Sequence, residues 1–220
     1  MRFIDVSHTV GDGMVTYKGL PAPLICDFLS REASRERYAP GTEFHIGRID
    51  MVANTGTYLD SPFHRYADGI DLSQLPLTSL ADLPVRIFRH DDAAGEAIGA
   101  DAVSALGDVA GCAVLVHTGW DRHWRTDRYF EGHTFLTGAA ARWLVDAGAA
   151  LVGIDSYNID STRDGTRPVH STLLANDIPI VEHMTNLAEV PDTGGRLHAA
   201  PVKVKGMGTF PVRAYVTIGD

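Results

Sequence analysis

Cysteine and lysine are nearly missing from this chain of 220 residues, which has two of the first and three of the second against 16 arginines. Two thiols cannot make a disulfide framework, and a chain this long has core enough to do without one. Cys26 and Cys112 each sit in an apolar stretch, so both are expected as buried free thiols. No block of basic residues occurs, and 28 acids against 19 bases leave a net charge of −9. That balance argues against nucleic acid and against an anionic membrane surface as partners. No apolar run reaches the ~20 residues of a membrane-spanning helix. The stretch from Met1 to His8 carries no apolar segment with a cleavage signal, so a cytoplasmic location is the expectation. Internal repeats, low-complexity tracts and linkers are lacking too, and one domain over residues 1–220 is expected.

What the chain does have is a series of short apolar runs that stop at polar residues. Arg2 to Val6, Leu24 to Phe28, Phe44 to Val52, Val85 to Phe88, Cys112 to His117, Ala150 to Ile154, Ile178 to Val181, Val202 to Val204 and Pro211 to Ile218 read as strands. Cys112–His117 is short, valine-rich and continuously apolar, the pattern of a strand buried on both faces. Thr137 caps a helix over Gly138–Ala147, with Gly148 as its stop. Pro168 to Leu174 starts on a proline and suits a short helix, and Gly99 to Leu106 suggests another. Ser30 to Gly41 is charged, without an apolar face, and reads as a surface excursion or a lid. Many short strands with two or three helices give an α+β or α/β domain.

The stretch from Asn54 to His64 (Asn-Thr-Gly-Thr-Tyr-Leu-Asp-Ser-Pro-Phe-His) is chemically the densest. Gly56 permits a left-handed backbone, and Pro62 holds Ser61 extended. Positions 58, 60 and 64 share parity, so in extended geometry Tyr58, Asp60 and His64 face one way. His8, His117, Asp155 and Glu182 each fall at or just past a strand end, where scaffolded sites lie. Together with Asp60, His64 and His170 they form a set suited to a metal or to acid–base work.

These residues carry a resemblance. The stretch is similar to the signature His-x-Gly-Thr-His-x-Asp-x-Pro-x-His of the cyclase-like metal-dependent hydrolase family, to which bacterial kynurenine formamidase and isatin hydrolase belong. It matches at Gly56, Thr57, Asp60, Pro62 and His64. Val6-Ser-His8, Val116-His-Thr-Gly-Trp120, Leu151 to Asp155, His170, Ile180-Val-Glu182, Thr185-Asn-Leu187 and Pro201 to Gly206 also resemble family segments, in the family's order. The resemblance implies a single-domain α/β fold of the swivelling β/β/α barrel-like kind and a homodimer or homotetramer. Its implied metal ligands are Asp60, His170 and Glu182, with His64 as general acid/base. Two of the signature's histidines are replaced, by Asn54 and Tyr58.

Asn54 offers only a neutral carbonyl oxygen to a cation, and Tyr58 binds well only as phenolate. The remaining oxygen-rich set favours manganese or magnesium over zinc, or no metal. His8, His45 and His117 are the histidines that could replace a lost ligand. Three readings follow. One is a metal-dependent hydrolase of a C–N or C–O bond in a small amide, lactam, ester or lactone, arylformamidase-like, with Asp60, His170, Glu182 and Asn54 at the metal. The second is a metal-free isomerase, dehydratase or cyclase using Tyr58 and His64. The third is a binding module that has lost its catalysis. Phe63, Trp120 and Tyr157, with Tyr66 and Trp124, are the candidates to line an aromatic substrate pocket.

Overall fold

The alternation along the apolar runs decides the architecture. In the strand Ala113–His117, Ala113 and Leu115 enter one apolar core while Val114 and Val116 enter another. Successive side chains on a strand point to opposite faces, so this strand must lie between two packed layers. A computed structural model describes residues 1–90 and 95–219 of the chain. Its strands are β1 (Arg2–Asp5), β2 (Leu24–Leu29), β3 (Ile46–Asp50), β4 (Tyr58–Asp60), β5 (Leu83–Arg89), β6 (Ala97–Ile98), β7 (Ala113–His117), β8 (Phe135–Leu136), β9 (Leu151–Ile154), β10 (Ile180–Glu182), β11 (Gly195–His198), β12 (Thr209–Pro211) and β13 (Tyr215–Ile218). The helices are α1 (Arg31–Ser34), α2 (Ala100–Ser104), α3 (Gly138–Asp146) and α4 (Pro168–Leu174).

Nine strands form one mixed sheet in the order β1-β13-β11-β5-β7-β9-β10-β4-β12. The middle strands β5, β7, β9 and β10 are parallel, and antiparallel strands extend the sheet on both sides. The result is the expected α/β fold, with a curled, half-barrel sheet. Helices α2, α3 and α4 cover one face, where Val103, Leu144, Val169 and Leu173 meet Val114, Val152, Ile154 and Ile180. The other face is closed by loops carrying Leu72, Leu75, Leu80 and Leu187. Helix α3 begins as its sequence requires: the Thr137 hydroxyl accepts from the amide of Ala140 at 3.2 Å.

Some expectations are corrected. Residues 202–204 form no strand, and Val202 is exposed. Cys112 is buried, but Cys26 is exposed. It lies on β2, which pairs only with β3 in a separate two-stranded arm. The charged excursion after Ser30 is the connection at the end of that arm and contains the short helix α1. The arm places Leu24, Ile25, Phe28, Ile46 and Ile49 in solvent.

Candidate active site

The stretch from Asn54 to His64 is partly a strand. Tyr58–Asp60 is β4, seated between β10 and β12. Its register places Tyr58 opposite Glu182 and Asp60 opposite Thr209. Residues directly opposite across antiparallel strands share a face with Cβ atoms about 5 Å apart. Tyr58, Asp60, Glu182 and Thr209 therefore converge on the helix-covered face, while Leu59 and Val181 enter the opposite core. The Tyr58 hydroxyl donates to Glu182 Oε2 at 2.5 Å. The Thr209 hydroxyl lies 3.0 Å from Asp60 Oδ1 and 2.9 Å from His64 Nδ1. Gly56 has φ +67°, and a Cβ there would strike Val10, so the approach to β4 needs glycine for its backbone and for its space.

His170 arrives from helix α4. Asp160, wholly buried, accepts from the amides of Val169 (2.7 Å) and His170 (3.0 Å) and lies 2.7 Å from His170 Nδ1. One carboxylate thus caps the helix and orients the imidazole, with a proton on Nδ1. The other ring nitrogen, Nε2, is then directed to Asp60 Oδ2 at 3.6 Å and Glu182 Oε1 at 3.7 Å. Asp60 Oδ2 is buried and has no hydrogen-bond partner. Glu182 Oε1 also accepts from the Ile159 amide at 2.6 Å.

The electrostatics follow from burial. Burial alone pushes the His170 pKa down, but the carboxylates of Glu182, Asp160 and Asp60 outweigh it and raise it to about 10. Burial raises the Glu182 carboxyl, against the pull of His170. Burial and then the Glu182 charge push the Tyr58 phenol well above its ordinary value. Tyr58 is therefore a neutral donor towards Glu182.

These groups open on a cavity of about 280 Å³ lined by Tyr17, Leu20, Asn54, Tyr58, His64, Arg65, Asn158, Arg167, His170 and Glu182. Asn54, Tyr58, His64, His170 and Glu182 are thus brought together with Asp60 at their base. The aromatic candidates are dispersed. Trp120 is buried and gives its indole N–H to the Tyr129 carbonyl at 3.0 Å; it borders a different pocket, near Glu96 and Arg128. Tyr157 stands behind Tyr17, ring centroids 4.7 Å apart. Phe63 follows Pro62 in a 3-10 turn, and its amide bonds Ile70. Tyr66 bonds the Ser171 carbonyl, and Trp124 stacks on His8 at 4.0 Å. Neither Phe63, Tyr66, Trp120, Trp124 nor Tyr157 is among the residues that line the site cavity.

None of the three histidines expected as replacement ligands lines the site cavity. His8 is held on Trp124, His45 pairs with Asp27 on the exposed arm at 2.8 Å, and His117 lies 3.9 Å from Asp155. The donor set nevertheless fits a cation. It has a buried Asp60 oxygen without a hydrogen-bond partner and, 3.6 Å from it, an imidazole nitrogen whose partner nitrogen is fixed by a carboxylate, with Glu182 Oε1 3.7 Å from that same nitrogen. Asp60, His64 and His170 also offer ligand atoms within 4.8 Å of one another, so two third ligands compete. Glu182 is buried, with Oε2 held by Tyr58 and Oε1 by the Ile159 amide, whereas His64 is exposed at the rim, with Nδ1 at Thr209 and Nε2 3.8 Å from Asp60 Oδ1.

The profile of the family described as putative cyclase matches residues 4–161. The chain belongs to the putative cyclase family. It is 27% identical over 215 residues to a kynurenine formamidase of Bacillus cereus, covering 98% of this chain and 97% of that protein. A solved structure described as a potential metal-dependent hydrolase with cyclase activity is 27% identical, with a TM-score of 0.79 over 98% of this chain and 96% of its own. Isatin hydrolase A of Labrenzia aggregata, solved with benzyl benzoate, shares the cyclase fold at a TM-score of 0.85 and 18% identity, covering 100% and 94%. Asp160, Thr209 and Arg167 were not singled out from the sequence. Asp160 could have been found as a carboxylate a few residues ahead of a proline-initiated helix; Thr209 and Arg167 had no local signal.

Proposed function

We propose that this cyclase-family protein is a metal-dependent hydrolase of a small aryl amide, lactam or related ester, acting in the manner of an arylformamidase. The observation that carries the reading is Asp60 Oδ2, buried without a partner and facing the Nε2 of a histidine that Asp160 fixes from behind. The B. cereus kynurenine formamidase and the isatin hydrolase fold support it. Asp60, His170 and Glu182 would hold the cation, with the Asn54 carbonyl as a weaker fourth donor. A divalent cation held there supplies Lewis acidity and lowers the pKa of water.

The remaining steps belong to the chain. His64, at the rim, takes a proton from the attacking water and delivers it to the leaving nitrogen or oxygen. Thr209 ties His64 Nδ1 to Asp60, which keeps the ring turned to the cavity. Tyr58 holds Glu182 by its Oε2, and the Ile159 amide holds Oε1 3.7 Å from His170 Nε2. A stoichiometric cation in protein purified without chelator, and a lower melting temperature after chelation, are the expected results. Asp60→Asn should abolish both cation and formanilide hydrolysis. His64→Ala should keep the cation and lose about 10²–10⁴ in rate; undiminished turnover in His64→Ala would refute its role.

The metal-free reading draws support from one observation: His170, raised to about 10, supplies a positive charge between Asp60 and Glu182 without any ion. Turnover by thoroughly chelated protein would favour it. We also propose that the protein self-associates through the β2–β3 arm, because its exposed apolar side chains have no cover within the chain. Sedimentation should report a dimer or tetramer that Phe28→Asp dissociates.

A further inference from the structure

Ile159 and Asp160 are wholly buried, so their backbone groups need partners inside the protein. Those partners tie the dipeptide to two of the site's buried groups. The Ile159 amide donates to Glu182 Oε1 at 2.6 Å, and the Asp160 carboxylate holds His170 by its amide and by its Nδ1. Behind the dipeptide lies the segment that leads into α3. The Leu136 amide donates to the Ile159 carbonyl at 2.9 Å, and His133 Nε2 lies 2.9 Å from the Asp160 carbonyl. A carbonyl only accepts, so Nε2 carries the proton and donates it.

His133 is itself buried. Its ring stands edge-on to the Tyr157 ring, with centroids 5.4 Å apart and planes at 90°, an arrangement that aromatic pairs prefer. Burial lowers its pKa, so the ring is a neutral donor. Two torsions and a packed neighbour fix where that donor points. Without it, the Asp160 carbonyl would be left unmet in the interior, which is unfavourable. The 160–161 peptide would then turn towards another partner. Such a turn moves the Asp160 Cα, and with it the carboxylate behind His170. Constellations of this kind tolerate about 0.5 Å of displacement.

We propose that His133 is a positioning residue: through the Ile159–Asp160 backbone it sets the direction of His170 Nε2 and the place of Glu182 Oε1. Among the described residues, no hydrogen bond joins it to either group directly, so its effect passes through the two buried peptides. The consequence for a cation rests on the metal-dependent reading, whereas the placement of His170 and Glu182 stands on the hydrogen bonds alone.

The test uses metal-stripped full-length protein and two readouts. Proton NMR follows the His170 Nδ1 hydrogen, assigned by its loss in His170→Gln, and calorimetric titration follows manganese. In the parent that hydrogen should resonate downfield and exchange slowly, because Asp160 holds it. His133→Phe keeps a ring on Tyr157 but offers no donor. It should speed the exchange at least tenfold and weaken manganese about three- to tenfold. His133→Gln, whose amide can place an N–H near the Nε2 position, should restore both to within twofold of the parent. Val103→Ala, which opens a hole in the core under α2, should lower the melting temperature and move neither readout. Should His133→Phe fail to fold, His133→Asn, whose amide stops short of the carbonyl, must show the same two losses. Unchanged exchange in the folded variant, manganese affinity within twofold of the parent, losses that His133→Gln does not restore, or losses that Val103→Ala reproduces each overturn the proposal. If the parent takes up no manganese, the metal-dependent reading fails and exchange alone decides: a rise in His133→Phe that His133→Gln reverses upholds the positioning role. If manganese binds parent and His133→Phe alike, the positioning role falls and the metal-dependent reading stands.

Discussion

Asp160→Asn isolates the residue on which the geometry of the site turns. Asp160 accepts three hydrogen bonds, two from the first amides of α4 and one from the His170 ring. Every one of its partners is a donor, and an asparagine must present its own NH₂ to at least one of them. Hydrogen bonds to a charged group contribute about 1.5–3 kcal/mol each, so losing one and weakening the others should destabilise the fold by about 2–3 kcal/mol. The larger consequence is at Nε2. Without a carboxylate behind it, the imidazole is free to put its proton on the nitrogen that faces Asp60 and Glu182, where a cation needs a lone pair. Loss of such a support lowers metal affinity about 10–100-fold, equivalent to about 1.4–2.7 kcal/mol. Calorimetric titration of stripped protein with manganese, alongside urea unfolding, measures both quantities. Asp160→Glu is the control for charge without position. A variant that loses stability but binds manganese within threefold of the parent would refute the orienting role and leave Asp160 a helix cap.

Three further outcomes follow from the same coordinates. Gly208→Ala should destabilise the protein by about 2–3 kcal/mol and depress activity, because its Cβ would overlap the backbone N and Cα of His64; an unchanged melting temperature would show that the 61–64 turn yields. Tyr58→Phe leaves Glu182 Oε2 without its donor inside the core and should cost about 1–3 kcal/mol while manganese still binds; abolished turnover in a variant that retains its cation would transfer Tyr58 to the chemistry. His8 has its pKa lowered to about 4 by burial, partly offset by Asp121. Its unfolded value lies near 6.5, so the unfolded chain binds the proton first, and stability should fall as pH drops from 6.5 to 4, by on the order of 3 kcal/mol from this group. His8→Phe, which keeps a ring on Trp124, should flatten that part of a urea-midpoint profile; an identical slope would assign the acid sensitivity elsewhere.

The parts of the site that were legible in the sequence are those encoded by local alternation. Valine-rich runs gave β7 and β9, and parity placed Tyr58 and Asp60 on one face before any partner was known. The cap of α3 and the proline start of α4 were equally local. What could not be read depended on pairing between distant segments. Thr209 reaches Asp60 only because β12 pairs with β4, across 149 residues of sequence, and its own neighbourhood resembles an ordinary edge strand. Asp160 sits in a turn-rich stretch where a carboxylate is commonplace, and its role appears only when α4 docks. The aromatic candidates misled for the opposite reason. Trp120 has the composition of a ligand contact, but its indole N–H is satisfied by a backbone carbonyl in the core.

Asn54 and Tyr58 stand where the family signature that this stretch resembles has histidines, and the difference would change the site in a definite direction. Tyr58 donates its hydroxyl to one oxygen of Glu182, and burial and the Glu182 charge hold its phenol well above the ordinary value. Of the histidines, His64 and His170 line the cavity. Under the proposed function a cation would be held by one nitrogen, from His170, and by oxygens of Asp60 and Glu182, with the Asn54 carbonyl as the weaker fourth donor. Such a set has harder donors than one with three imidazoles, and it lowers the advantage that zinc holds over manganese at nitrogen-rich sites. Two carboxylates at the base also demand a positive charge whichever ion is present, and His170 is the group placed to supply it in the ion's absence. A site so constituted would hold its cation less firmly, with the His170 ring near both carboxylates, while Thr209 keeps its link to His64 Nδ1 and to Asp60.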